Sequence, residues 1–555
     1  MPTKPILQIP ETVKADTVAY RGHVRKYLDG QTAPADFWAY RVPMGVYEQR
    51  TDGRFMVRVR IPAGLALGEQ LDKIAGLSAR FGNGVLHVTT RQDIQIHDVG
   101  IEDTPDVLEG LLESGLSSRG GGGNTVRNVS ACPRSGVCPN EIFDVTPYAV
   151  ATAEYLLADR SSFNLPRKYK IAFSGCSEDC ALASVADLGF FARERDGVKG
   201  FSAYCAGGLG GSPRVGVTIE DFILAEDVCE VAEAVKQLFD RHGDRSNRNR
   251  ARLRYVLGRL GQEQFVALYR QSRRALQAES LPHQPPKIRP IGSGPEPGRA
   301  GPGQQPARQR ESFAPEKTPG FVTGRLWLKH GDITAADLKK VALIAETYGQ
   351  GLVRATQLQD LLITGVAESE VPLVESALAE LDTAVFKPAS VKTVACAGAA
   401  TCRLGLCLSR GLADAIAARL EADGTESDTI IRISGCPNSC GHHWVANLGF
   451  QGRAKRLGGR LMPYYDVFAG ARLVEGQARL AERVGAVPAK RVPDLVAEAL
   501  EAGATDARQL EPIVARHADV GDAALPDEYY CDWGADVPFS LNGRGRSEDQ
   551  SGGAR

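Results

Sequence analysis

The chain of 555 residues lacks any stretch of about 18 consecutive apolar residues, so no segment reads as a membrane-spanning helix. It has no excess of either charge. Its 66 Lys and Arg stand against 67 Asp and Glu, a net charge of −1, which argues against a chain built to bind nucleic acid. The opening "MPTKPILQIPETVKAD" lacks the apolar core of a secretion signal, which makes the cytoplasm the expected compartment. A dinucleotide fingerprint is missing too: "GGLGGS" after Cys205 does not have the G-x-G-x-x-G spacing and follows no clear strand-to-helix turn. What remains is an ordinary globular composition, 43% hydrophobic and 24% charged, in a chain long enough for about three or four domains.

Against that background the twelve cysteines stand out, because a reducing compartment gives them little use as disulfides. Four of them, Cys396, Cys402, Cys436 and Cys440, form C-x5-C and C-x3-C pairs within "ACAGAATCRLGLC" and "RISGCPNSCGHHWVANLGF". Two such pairs brought together present four soft thiolates, the donor set of an iron–sulfur cluster. The first half carries the same pattern. Cys132 and Cys138 recur at an offset of 264 (132 to 396), Cys176 and Cys180 at 260 (176 to 436). Around the second pair, "SGCSEDCALASVADLGF" and "SGCPNSCGHHWVANLGF" agree at nine of seventeen positions. The chain is an internal duplication.

The order of elements repeats as well. Residues 54–62 read as a strand, 69–80 as a helix with Leu71, Ile74 and Leu77 inward, and 85–97 as one strand. After the Pro- and Gly-rich stretch 281–312, a strand at 324–330, a helix at 335–348 and the segment 351–365 follow the same plan. The tail beyond about 537 is rich in Gly, Ser and Arg and is expected to be disordered at its end. Six arginines in 241–254 read first as a solvated helix face, and second as a docking patch for an acidic redox partner.

Strand parity gives a further signal. Leu86, Val88, Ile94 and Ile96 fall on one face of 85–97, and His87, Arg91, Gln95 and His97 on the other. Arg58 and Arg60 alternate with Val57, Val59 and Ile61, and Lys168 and Lys170 with Tyr169 and Ile171. Three cationic strand faces, with Arg127 just after the Gly120–Gly123 run, suit a strongly anionic ligand. The second copy has lost these contacts: Leu358 stands for Arg91, and Asp428 and Ile430 for Lys168 and Lys170.

The segments "GVYEQRTDGRFMVRVRIP", "TTRQDIQIHD", "NTVRN", "LPRKYK", the C-x5-C pair and "SGCPNSCG" together resemble the sirohaem-dependent nitrite and sulfite reductases over about residues 35–510. The resemblance implies an α+β fold, internally duplicated, with two ferredoxin-like half-domains (35–118 and 313–390) and two sirohaem/iron–sulfur-type α/β domains (119–280 and 391–510) related by pseudo-twofold symmetry. A linker at 281–312 and a tail at 511–555 complete the division. It implies a sirohaem and a [4Fe–4S] cluster held by Cys396, Cys402, Cys436 and Cys440, with Cys440 shared with the sirohaem iron. Arg58, Arg127, Lys168 and Lys170 match residues that bind the oxyanion, Arg91, Gln95 and His97 those that hold sirohaem carboxylates, and the loop 205–214 a glycine-rich segment beside the macrocycle.

The implied reaction is six-electron reduction of sulfite to sulfide or of nitrite to ammonia. Lysine at both positions of "RKYK" favours sulfite. Electrons must come from ferredoxin or a flavoprotein, as no cofactor motif of its own is present. A non-catalytic iron–sulfur carrier is the contrasting reading, and the retained oxyanion residues speak against it. Complete cysteine pairs in the first half depart from familiar members. Cys132, Cys138, Cys176 and Cys180 are open to three readings: a second [4Fe–4S] cluster, buried free thiols, or zinc. Tyr47 matches a tyrosine that some members crosslink to cysteine, but its partner position falls in Gly120–Gly123, so no crosslink is expected.

Overall fold

The computed structural model describes residues 6–291, 312–382, 384–385, 391–519 and 525–545. Most of the Pro/Gly-rich stretch and the last ten residues of the tail therefore lie outside the described residues. The chain divides into two compact units, the first comprising residues 1–48, 53–208 and 214–387, the second residues 49–52, 209–213 and 388–555.

In the first unit the two half-domains are built alike. The strand Arg54–Val59, the helix Gly68–Phe81 and the strands Val85–Val88 and Ile94–Gly100 have counterparts in Phe321–Leu328, Ala335–Tyr348, Leu352–Ala355 and Leu361–Ala367. Each helix forms because its apolar residues recur at helical spacing, burying Leu71, Ile74, Ala75 and Leu77 in one and Leu338, Val341, Ala342 and Ala345 in the other. Thr334 caps the second by accepting the Asp337 N–H at 3.1 Å. The two helices pack on each other.

Residues 85–97 are not one strand but a hairpin. Leu86 pairs with Ile96, His87 with Gln95 and Val88 with Ile94. The five-residue turn Thr89–Asp93 preserves the parity, so the face assignments hold for every residue except Arg91, which sits in the turn. Gln92 takes a left-handed φ of 61°, stabilised because its side chain donates to Ala355 O at 2.8 Å and accepts from Ala131 N–H at 3.0 Å. Residues 351–365 turn in the same way at Gln359, φ 64°.

The half-domains exchange edge strands. Asp332–Thr334 of the second pairs antiparallel with Val85–Val88 of the first, and Leu65–Leu67 of the first pairs with Leu352–Ala355 of the second. Ile333, buried opposite Leu86, anchors the first exchange. Ile333→Ala is expected to cost about 2–4 kcal/mol by the cavity it leaves, read as a lowered denaturation midpoint in urea.

The first unit also contains a five-stranded sheet in the order Val217–Leu224, Val198–Cys205, Leu188–Arg195, Tyr169–Ser174, Val126–Ala131. The second unit repeats it as Glu482–Pro488, Arg460–Ala469, Leu448–Leu457, Ser427–Ser434, Val391–Ala395. In both, the last three strands run parallel and the first two antiparallel. The cysteine segments follow the same two parallel strands in each copy. No helix among the described residues is long and apolar enough to cross a membrane.

Candidate functional site

The first unit gathers the cations singled out above. Arg58 leaves its strand on the polar face, directly across from Gln95, and its Nη1 meets Asp93 Oδ2 at 3.1 Å. Arg127 folds the glycine run around itself, donating from Nη1 to Gly121 O at 3.1 Å and from Nη2 to Gly123 O at 2.9 Å. Tyr47 rests on the same run and accepts the Gly123 N–H at 3.2 Å. A Cβ at Gly122 would stand 2.6 Å from its hydroxyl oxygen, so glycine is what lets the ring settle there. Burial alone would raise the Tyr47 phenol, but the guanidiniums of Arg127, Arg58 and Arg91 outweigh it and bring the phenol below its usual value.

Arg127 faces a second group. Burial, with the charges of Lys170, Arg252, Arg127 and Arg167, pushes the Lys168 ammonium well below its ordinary value. Lys168 immediately precedes the strand Tyr169–Ser174, and Lys170 lies on it, its N–H bonded to Asp187 Oδ2 at 3.0 Å. Tyr169 points the opposite way, into the core, and donates to Ala232 O. The fully buried Asp187 also takes Arg252 Nη2 at 2.6 Å. Arg91 has its Nε 3.9 Å from Asp93 Oδ2, and His97 Nε2 contacts Gln95 Oε1 at 3.2 Å. Arg60 shares a strand face with Arg58 but is buried and spent on the carbonyls of Arg119 and Arg127.

Sequence reasoning missed part of this cluster. The 241–254 segment is largely a loop between helices rather than a solvated helix face. Arg241, Arg245, Arg248 and Arg250 are exposed, whereas Arg252 and Arg254 are buried at 6% and 7% exposure. Both lie against Gly208, where a Cβ would come within 2.9 and 2.8 Å of their guanidiniums. Their alternation in "RARLRY" was the available signal. The loop carrying Gly208 closes through paired backbone bonds between Gly208 and Arg214.

Arg58, Arg91, Arg127, Arg167, Lys168, Lys170, Arg252 and Arg254 thus stand against two carboxylates, Asp93 and Asp187. The Nε of Arg58 and of Arg127, and Nε and Nη1 of Arg254, are buried without a hydrogen-bond partner. Buried donors in such excess require an anionic ligand to satisfy them, which fits a tetrapyrrole carrying many carboxylates together with an oxyanion.

The second unit forms the cysteine centre. Cys396, Cys402, Cys436 and Cys440 lie within electrostatic reach of one another. Gly435 donates its N–H to Cys396 Sγ at 3.2 Å, the kind of bond that tunes an iron–sulfur centre. Burial raises the thiols of Cys396, Cys402 and Cys436, that of Cys402 to about 11, so loading must release protons. Among the described residues no three His, Cys, Asp or Glu side chains close tightly enough around a single ion; a cubane takes its four thiolates at separate corners. Arg432, on the strand leading to Cys436, is buried with Nη1 unpartnered, a cation that sequence parity did not pick out.

Known proteins give the same picture. The nitrite/sulfite reductase ferredoxin-like half domain matches residues 47–114 and again 314–381. The nitrite and sulphite reductase 4Fe-4S domain matches residues 122–275. The ferredoxin–nitrite reductase of Synechococcus elongatus is 32% identical over 462 residues, covering 81% of this chain and 86% of that protein. The assimilatory ferredoxin-dependent nitrite reductase of Haloferax mediterranei is 30% identical over 497 residues, covering 84% and 83%. The chloroplastic ferredoxin–nitrite reductase of Spinacia oleracea is 30% identical over 474 residues, covering 82% and 77%. The solved structure of the Mycobacterium tuberculosis NirA protein superposes with a TM-score of 0.75 at 21% identity, covering 92% of this chain and 97% of that one, a likeness of fold. With both half-domains matched, a shared architecture and donor sets that fit the two prosthetic groups, the chain belongs to the sirohaem-dependent nitrite and sulfite reductase family, oxidoreductases that use a sirohaem and a [4Fe–4S] cluster.

Proposed function

We propose that this enzyme reduces nitrite to ammonium with electrons from ferredoxin. The observation that carries the reading is the cationic cluster around Arg127, whose unpartnered donors suit a small oxyanion in addition to porphyrinoid carboxylates. The names of its relatives support nitrite as substrate and ferredoxin as donor. Sirohaem supplies the iron at which such an anion is reduced, and the [4Fe–4S] cluster the electrons.

The chain's own residues do the rest. Cys396, Cys402, Cys436 and Cys440 would hold the cluster. Arg91, Gln95 and His97 would orient the macrocycle by its carboxylates. Arg58 and Arg127 are positioned before the substrate arrives, so they offset its charge without reorganising. Lys168 and Lys170 deliver protons, of which nitrite needs eight per ammonium formed. A buried lysine crowded by four other cations parts with its proton more readily than an ordinary lysine.

Sulfite reduction to sulfide is the second reading, favoured by lysine at both positions of "RKYK". Purified holoenzyme supplied with reduced ferredoxin should turn over nitrite with a kcat/KM at least tenfold above that for sulfite. The reverse ratio would assign sulfite, and turnover with a reduced flavoprotein but not with ferredoxin would overturn the donor.

A further inference from the structure

We infer that Cys132, Cys138, Cys176 and Cys180 hold a second [4Fe–4S] cluster, within the first unit. The duplication supplies an internal standard for this, because the second copy's cysteine cradle can be compared with the first bond by bond.

The two cradles are hydrogen-bonded alike. Cys132 N–H donates to Phe173 O at 2.9 Å, as Cys396 N–H does to Ile433 O at 3.2 Å. Cys138 N–H donates to Arg134 O at 2.9 Å, as Cys402 N–H does to Gly398 O at 3.1 Å. Ile142 N–H reaches Gly175 O at 2.9 Å, and Leu406 N–H reaches Gly435 O at 2.9 Å. Past the second pair, Asp179 and Leu182 take left-handed φ values of 51° and 61°, and Ser439 and His442 values of 55° and 63°. None of these four is glycine, so each copy keeps a costly backbone shape at the same two places. Elsewhere the copies have drifted apart, as Leu358, Asp428 and Ile430 show. A cradle left without a ligand would have had the same freedom to drift.

The thiols are gathered as a cluster requires. Those of Cys132 and Cys180 lie side by side. Cys138 lies within electrostatic reach of Cys132 and Cys176, and Cys176 of Cys180, closing a ring of four. No disulfide joins any of the twelve cysteines. Four thiolates on a cubane leave a net negative charge, and a cation is placed to meet it. Arg354, 4% exposed, lies within electrostatic reach of Cys132 and keeps its Nε unpartnered. The loop between Cys132 and Cys138 is strapped from outside. Lys317 N–H donates to Val137 O at 2.8 Å, and Arg134 Nη2 to Pro315 O at 2.5 Å. Such fixed elements are what an inorganic centre needs to assemble on. The centre would take and pass one electron at a time, adding one reducing equivalent of storage to an enzyme that needs six.

The test is a count on anaerobically purified, full-length protein. Iron and acid-labile sulfide, expressed per sirohaem, should come to about nine and eight, against about five and four for a single cluster. Cys132→Ser combined with Cys176→Ser should lower the counts by about four each while the sirohaem band stays. A wild-type count of about five irons and four sulfides would overturn the inference, whatever the variant does. So would one zinc per chain, or a Cys132–Cys180 disulfide in the peptide mass map. Because the count is taken per sirohaem, it can fail without disturbing the reading of the reaction, and a protein lacking sirohaem would sink that reading instead.

Discussion

Cys436→Ser is expected to abolish nitrite turnover, to below about a thousandth of wild type. Among Cys396, Cys402, Cys436 and Cys440, Cys436 is the most buried, at 7% exposure, and a serine hydroxyl is a hard donor where a soft thiolate is wanted. Three ligands would remain for four irons, and the proposed electron-supplying centre would be lost or unstable. The variant should show a fall of about four irons and four labile sulfides per chain. Its fold should survive, because the cradle is held by backbone bonds such as Leu406 N–H to Gly435 O and by a core in which serine nearly matches cysteine in size. Far-ultraviolet circular dichroism would check the fold. Undiminished turnover would remove these cysteines from the reaction.

Lys168→Met should lower kcat by about 10²–10⁴, the range for loss of a positioned proton donor, and shift KM less. In the wild type the protonated ammonium is the donor, so kcat should fall as pH rises through the depressed Lys168 value, and the variant should lose that limb. Stability should move the other way. A lysine whose folded value lies below its unfolded value of 10.5 binds fewer protons when folded across the window between the two. Stability therefore rises with pH across that window, and the penalty is complete below its lower edge. Removing the charge takes the penalty away. Cofactor-free Lys168→Met protein should thus melt higher than cofactor-free wild type near neutral pH. A lower melting temperature would mean that the crowding around Lys168 is not repulsive.

Much of this molecule was legible in its residues, and the exceptions have physical causes. The duplication could be read from nine shared positions around Cys176 and Cys436, and the helix Ala335–Tyr348 from its apolar period. The hairpin at 85–97 was hidden because "TTRQD" contains neither glycine nor proline. Its reversal depends on Gln92, whose left-handed backbone is held by partners at Ala131 and Ala355, far off in sequence. Arg252 and Arg254 joined the cationic cluster unannounced for a similar reason: they meet Lys168 only after more than eighty intervening residues have folded. The exchanged edge strands have three residues each, too few to show a period.

That reciprocal exchange has a consequence for biosynthesis. A ribosome must deliver Thr334 before the sheet begun at Val46 has its last edge covered. Until then the nascent chain carries an open strand at Val85–Val88 and a loose one at Leu65–Leu67, both apolar. An N-terminal fragment cut at the repeat boundary would keep those exposed ladders and associate through them.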